Sequence, residues 1–204
     1  MLALSKSSIR QLAGDELGLV ALHEAWERTI RALHPAANGD LEAHLLRLDA
    51  TSRRARFGAD VSDAFLLAHA RSIGEQPGAQ VFAALIEGRI RAAVEMRPLG
   101  SEWCREAELA FSVETAWQGR GIGTALMAAA VRAARERDIA HLYLCCHAEN
   151  RRNLRIVERL AAKVQFEDCE CFADIAIRWQ GVAPAFAAGA WLGGTAQRVL
   201  ALDL

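Results

Sequence analysis

Gln118-Gly119-Arg120-Gly121-Ile122-Gly123-Thr124-Ala125 is the stretch that decides how this 204-residue chain is read. Three glycines stand at alternate positions, which permits close approach and positive φ. An apolar strand pattern precedes the stretch and an Ala-rich helical pattern follows it. The first turn of such a helix presents unpaired N–H groups, and its dipole adds positive potential. Together these make an anion site of the size of a pyrophosphate, to which Arg120 can add a charge-assisted bond. A Walker A loop requires Lys before the Ser/Thr, and Thr124 lacks it. A Rossmann fingerprint requires GxGxxG in a first βαβ unit, whereas this loop is GxGxG. A connection that merely needs flexible glycines reads the same way on spacing alone.

Working outward, Cys104 to Val113 reads as a strand before the loop, and Gly121 to Arg137 as the strongest helix, with its cations near the C-terminal end. His141 to His147 is a buried strand, Arg152 to Ala162 a helix, and Val164 to Ile177 one strand or a pair. Upstream, Val81 to Glu87 and Ile90 to Arg97 flank a Gly88-Arg89 turn, so three strands form an antiparallel meander. Pro77-Gly78 marks a turn. Nearer the N-terminus, Leu2 to Leu12 contains a strand, and Asp15 caps a helix over about 16–33 that His34-Pro35 ends. Asp40 caps a helix from Leu41 to Leu48, and Ser62 or Asp63 caps one reaching Ser72. Between them, Thr51 to Phe57 is basic through Arg53, Arg54 and Arg56. No linker divides the chain.

Composition removes several function classes. There are 24 basic and 25 acidic side chains, a formal net charge of -1, so no general pull toward nucleic acid or an anionic membrane exists. Apolar residues make up 52%, enough for a real core. Only Lys6 and Lys163 are Lys; the other basic side chains are Arg. Cysteines at 104, 145, 146, 169 and 171 show neither CxxC spacing nor a disulfide pattern. Cys145 and Cys146 read as core residues. The start of the chain lacks a signal-peptide pattern, and no apolar run reaches membrane-spanning length, so the cytoplasm is the expected location. No His/Cys/Asp/Glu set has metal-ligand spacing, so no metal is expected.

Gln118, Gly121 and Gly123 satisfy Gln/Arg-x-x-Gly-x-Gly/Ala, and here the sequence resembles the GNAT superfamily of acetyl-CoA-dependent N-acyltransferases. Ala107 to Val113 resembles the family's fourth strand, Thr124 to Arg137 its long third helix, His141 to His147 its fifth strand and Asn150 to Ala162 the helix after it. The match covers about residues 80–165. The resemblance implies an α/β (α+β) fold: a mixed, twisted, mainly antiparallel sheet flanked by helices, whose fourth and fifth strands splay apart. It implies one acyltransferase domain over 1–204, with acceptor-side helices over about 15–75 and a C-terminal extension over 181–204.

Acetyl-CoA is the co-substrate the resemblance implies. Its pantetheine and acetyl group would lie along the backbone of Phe111, Ser112 and Val113. Its pyrophosphate would meet the N–H groups of Gln118, Gly119, Arg120, Gly121, Ile122, Gly123 and Thr124. Asn150 would hydrogen-bond the arm, as the family's Asn does. The implied reaction is direct attack of a primary amine on the thioester in a ternary complex, with proximity supplying much of the acceleration. Glu108 is the candidate base, on the strand where a family glutamate often serves; Glu106 and Glu114 are poorer alternatives. Strand alternation puts Glu108, Ala110 and Ser112 on one face and Leu109, Phe111 and Val113 on the other, unless a bulge near Phe111 changes the parity.

The chain departs from the family in one respect. Val157 stands where many members carry the Tyr that protonates the departing thiolate, and the chain's single Tyr is Tyr143. Water, His147 or Ser112 is left to supply that proton. The acceptor is an amine, either a small molecule or a protein Lys or N-terminus. Arg53, Arg54 and Arg56 read as a solvated face or as a site for acidic groups. Two other readings stay open: an acyl-CoA-binding sensor without catalysis, and a nucleotide-binding protein using the same loop. The Ala/Gly-rich tail covers an apolar face or joins a homodimer interface.

Overall fold

The computed structural model describes residues 25–26, 28–34, 38–100, 105–158 and 163–177. Among the described residues seven strands form one sheet: β1 (Ile30–Ala32), β2 (Gln80–Ile86), β3 (Arg89–Pro98), β4 (Glu106–Val113), β5 (His141–His147), β6 (Lys163–Glu167) and β7 (Glu170–Ala176). Their order is β1-β2-β3-β4-β5-β7-β6. Only β4 and β5 run parallel; the other pairs are antiparallel. The expected meander is thus β2-β3-β4. The helices are α1 (Asn38–Leu46), α2 (Ala50–Phe57), α3 (Asp63–Glu75), α4 (Ile122–Glu136) and α5 (Arg151–Glu158).

Local chemistry sets several boundaries. Asp49 caps α2, accepting from Ser52 N at 2.7 Å. Ser62, rather than Asp63, caps α3 by accepting from Phe65 N. The β2–β3 turn falls on Glu87 and Gly88, both left-handed at φ 53° and 70°, one residue earlier than Gly88-Arg89. A two-residue turn with positive φ at both positions matches the twist of its flanking strands. Asp40 lies within the first turn of α1 rather than capping it, where its charge still suits the helix dipole. The segment over 164–177 resolves into the β6–β7 pair.

One expected element is corrected. A helix through Leu33 does not form, because Ile30–Ala32 pairs with β2 as strand β1, and Leu33 N donates to Val81 O at 2.8 Å. The helical periodicity is real upstream, at Ala25 and Trp26. The exposed edge of β2 offers hydrogen bonds that three more helical residues could not match, a tertiary override of local pattern. The strand in Leu2 to Leu12, Asp15, Cys104 and the tail over 181–204 lie outside the described residues.

The sheet carries a core on each face. On one, α4 and α5 bury Leu126, Met127, Ala130 and Val157 against Val94, Met96, Leu109, Leu142 and Leu144. On the other, α1 and α3 bury Leu41, Leu45, Leu66 and Ile73 against Val81, Ala83, Ile90 and Ala93. Each fully buried Leu or Ile contributes about 1.5–3 kcal/mol. These two layers hold β4 from both sides and fix which of its side chains point where.

Candidate active site

β4 and β5 pair over only four positions, from Glu106↔His141 to Leu109↔Leu144. Beyond them each strand follows its outer neighbour. Ala110 to Val113 stay on β3, and Cys145 to His147 stay on β7. A wedge therefore opens between the two strands, and their facing edges have no strand partner there. β4 keeps an unbroken register with β3 from Val113↔Ala92 to Ala107↔Pro98, so no bulge interrupts it. The alternation expected from sequence holds. Ala107, Leu109, Phe111 and Val113 join the α4-side core, while Ser112 meets His44 of α1 on the opposite face.

The wedge leads to the glycine loop. After a 3₁₀ turn at Thr115–Trp117, Gly119 and Gly121 adopt φ 71° and 80°, and α4 begins at Ile122 without a side-chain cap. A side chain at Gly119 would meet nothing within 4 Å, so the loop's backbone is open on that side. Gly123 packs more closely, since a Cβ there would lie 2.9 Å from Ile156 Cδ1 of α5, the mobile end of a side chain. Trp26 is fully buried and pins the loop, its indole N–H donating to Arg120 O at 2.7 Å. The Arg120 guanidinium lies over the Trp117 ring at 5.3 Å, and its buried Nη1 has no hydrogen-bond partner among the described residues. A buried, unpaired guanidinium nitrogen is costly by itself, and an anion would satisfy it.

The other expected residues divide into two groups. Phe111, Ser112 and Val113 lie on the unpartnered half of β4, and Thr124 is in the first turn of α4. Ile122 is buried and sends its side chain into the core. Gln118 is engaged within the protein: its side chain donates to Val113 O at 2.9 Å and Ser52 Oγ at 3.1 Å, and its N–H to Thr115 O. It ties the end of β4 to the loop. Asn150 caps α5, its Oδ1 accepting from Asn153 N.

Glu108 is partly exposed and stands 3.6 Å from Arg97, its β3 partner. Glu106 accepts from Tyr143 Oη at 3.2 Å. Val157 is wholly buried in the core and carries no proton to give. Of the two cysteines expected in the core, Cys145 is exposed because it points to the other face of β5, while Cys146, opposite Cys171 on β7, has its thiol pushed up to about 12 by burial and acts as core. Of the three clustered arginines, Arg53 and Arg54 pair with Asp63 and Asp60. Arg56 is buried against Glu95 at 2.7 Å.

Two buried polar clusters gave no signal in sequence. Glu95 is 1% exposed and meets Arg56 and His69, at 2.7 and 2.9 Å. Burial raises its pKa, but the Arg56 charge and the His69 contact outweigh that and hold it down at about 2. Glu114 meets Arg47 Nε at 2.7 Å, Arg91 Nη1 at 2.9 Å and His44 Nδ1 at 3.5 Å. Burial again opposes, and the contacts from His44, Arg47 and Arg91 prevail, leaving it at about 2. His44 itself is fully buried, and its Nε2 lies 2.9 Å from Ser112 Oγ. A lone His in an apolar helix stripe does not announce such partners, because they come from β3 and β4. Among the described residues no three metal-ligating side chains cluster, and no helix is long and apolar enough to cross a membrane.

Comparison with known proteins agrees with this geometry. The GNAT domain of S. lividans PAT superposes with a TM-score of 0.63 at 22% identity, covering 72% of this chain and 89% of that one. The yncA protein of Salmonella typhimurium, solved with its cofactor acetyl-CoA, gives 0.55 at 15%, covering 78% and 98%. Ribosomal-protein-alanine N-acetyltransferase from Brucella melitensis gives 0.53 at 18%, covering 71% and 96%. These likenesses show a shared fold. No curated protein sequence matches the chain. The pattern of the acetyltransferase (GNAT) family matches residues 43–162, which begin within α1 and include β2 to β5 and α5, and the chain belongs to that family.

Proposed function

We propose that this chain is an N-acetyltransferase that moves an acetyl group from acetyl-CoA to a primary amine by direct attack in a ternary complex. The observation that carries it is the wedge between β4 and β5, continuous with an uncapped helix start and the unpaired Arg120 Nη1. Phe111, Ser112 and Val113 would align the pantetheine along an open strand edge. The N–H groups from Gly119 to Thr124, with Arg120, would hold the pyrophosphate. Gln118 holds the loop in place. Asn150 contributes by fixing the start of α5 beside the wedge. Acetyl-CoA supplies an activated acyl carbon with a thiolate leaving group.

Glu108 takes the proton that an attacking ammonium must lose, directly or through water. Arg97, its neighbour, keeps the carboxylate oriented. The acceptor is an amine on a small molecule or on a protein Lys or N-terminus. A second reading, a silent acyl-CoA sensor, is favoured by one observation, the burial of Val157 where the family's acid usually stands.

Calorimetry with acetyl-CoA, followed by thiol-release assays across an amine panel, decides between the two. Binding with turnover on any amine supports the enzyme, binding without turnover supports the sensor, and no binding removes both. Within the enzyme reading, Glu108→Gln is expected to lower kcat by about 100-fold. Unchanged turnover across pH would take Glu108 out of the mechanism.

A further inference from the structure

We propose that Ser112 and His44 form a proton relay at the open half of β4, carrying a proton from the acceptor nitrogen to the departing sulfur. The inference rests on the acetyltransferase reading above. Ser112 lies where β4 has lost β5, with its side chain on the α1 face and 4% of the residue exposed. Its Oγ is 2.9 Å from His44 Nε2. Behind the ring, Glu114 Oε1 stands 3.5 Å from Nδ1. Arg47 from α1 and Arg91 from β3 complete the charged groups around Glu114.

These charges select the tautomer of the neutral ring. A proton on Nε2 would leave the Nδ1 lone pair facing a carboxylate oxygen, with no donor between them. A proton on Nδ1 is drawn by that carboxylate's charge across 3.5 Å, without hydrogen-bond geometry, and leaves Nε2 to accept from Ser112 Oγ–H. The serine hydrogen is then directed at the ring, and the oxygen lone pairs form the outer end of the relay.

Amide formation strips two protons from an ammonium nitrogen. One leaves by way of Glu108. The second goes to Ser112 Oγ as the Ser112 proton passes to His44 Nε2, while the C–N bond forms and the C–S bond breaks. Reversal of the two transfers delivers that proton to the sulfur. Nothing is oxidised or reduced, and Ser112 and His44 end as they began. The relay supplies what Val157 cannot.

A purely structural role would tie α1 to β4 by the same hydrogen bond, and two variants of the full chain separate the roles. Ser112→Ala is expected to lower kcat by about 100-fold or more with the KM for acetyl-CoA little changed, together with the modest fall in melting temperature that any loss of this buried hydrogen bond brings. His44→Gln keeps an oxygen that accepts from Ser112 but cannot carry a proton. The relay requires its kcat to fall likewise, whereas retained turnover would overturn it. Nitrogen-15 NMR of histidine-labelled protein gives a readout apart from activity. It should show His44 protonated at Nδ1 and an Nε2 resonance that moves when coenzyme A is added, a response absent in Ser112→Ala. An Nε2-protonated ring, or a ring unmoved by coenzyme A, would overturn the relay. Failure to bind acetyl-CoA in calorimetry would sink the site reading itself. Binding with full turnover of Ser112→Ala would sink the relay alone.

Discussion

Glu95, on β3, and Glu114, just past the end of β4, are two buried carboxylates, each held by arginine and histidine, and each near a pKa of about 2. Their settings differ. Glu95 sits under α2 and α3, where Arg56 and His69 close around it. Glu114 follows the last residue of β4, and its chain of contacts runs through His44 to Ser112, beside the wedge. The same chemistry thus serves two ends. Where the partners all come from the core, the cluster locks helices onto the sheet. Where the last partner is the Ser112 hydroxyl, on the half of β4 that has lost β5, the cluster reaches the candidate site. Burying an ion pair is no guarantee of net stability, so position decides what such a cluster is for.

The sharpest test of this contrast is Glu95→Ala. It strands the Arg56 guanidinium in a buried site and is expected to cost about 3–5 kcal/mol in denaturant unfolding. A loss below about 1 kcal/mol would mean that Glu95 locks nothing.

Acid titration comes next. Glu95 has an ordinary value of 4.5 and is held at about 2 in the folded chain. Its contribution is therefore complete above pH 4.5 and is lost as pH falls toward 2. That contribution is about 3 kcal/mol. Unfolding free energy measured between pH 5 and pH 2.5 should fall steeply, and the fall should shrink in Glu95→Gln. An equal fall in that variant would assign the acid sensitivity elsewhere.

The smallest expected effect is at the loop. Arg120→Ala should weaken acetyl-CoA binding by about tenfold, the worth of one charge-assisted bond, while leaving unfolding nearly unchanged. Equal affinity in calorimetry would show that the unpaired Nη1 does not face the pyrophosphate.

Much of the candidate site is legible in the sequence itself. The Gly119-Gly121-Gly123 spacing, the strand before it and the amphipathic helix after it are local patterns, and the alternation that separates Leu109 from Glu108 is a property of any strand. The family comparison bore out the family, and the structure bore out the mixed, mainly antiparallel sheet whose fourth and fifth strands splay apart. Other features were beyond reach. Ile30 to Ala32 continue a helical pattern yet join the sheet, because the edge of β2 competes for them. Gly123 reads like the other loop glycines, but only the fold brings Ile156 of α5 beside it. His44 and Glu95 look like ordinary helix and strand residues until partners 26 to 68 positions away arrive beside them.

Sequence alone settled the elements that depend on neighbours along the chain: the loop, the long helix after it, the meander and the absence of a Tyr at Val157. Tertiary structure decided where β4 and β5 part, which carboxylates are buried, and that Ser112 meets His44. Those outcomes depend on which surfaces compete for the same hydrogen bonds and the same charge once the chain is compact. No window of residues contains that competition.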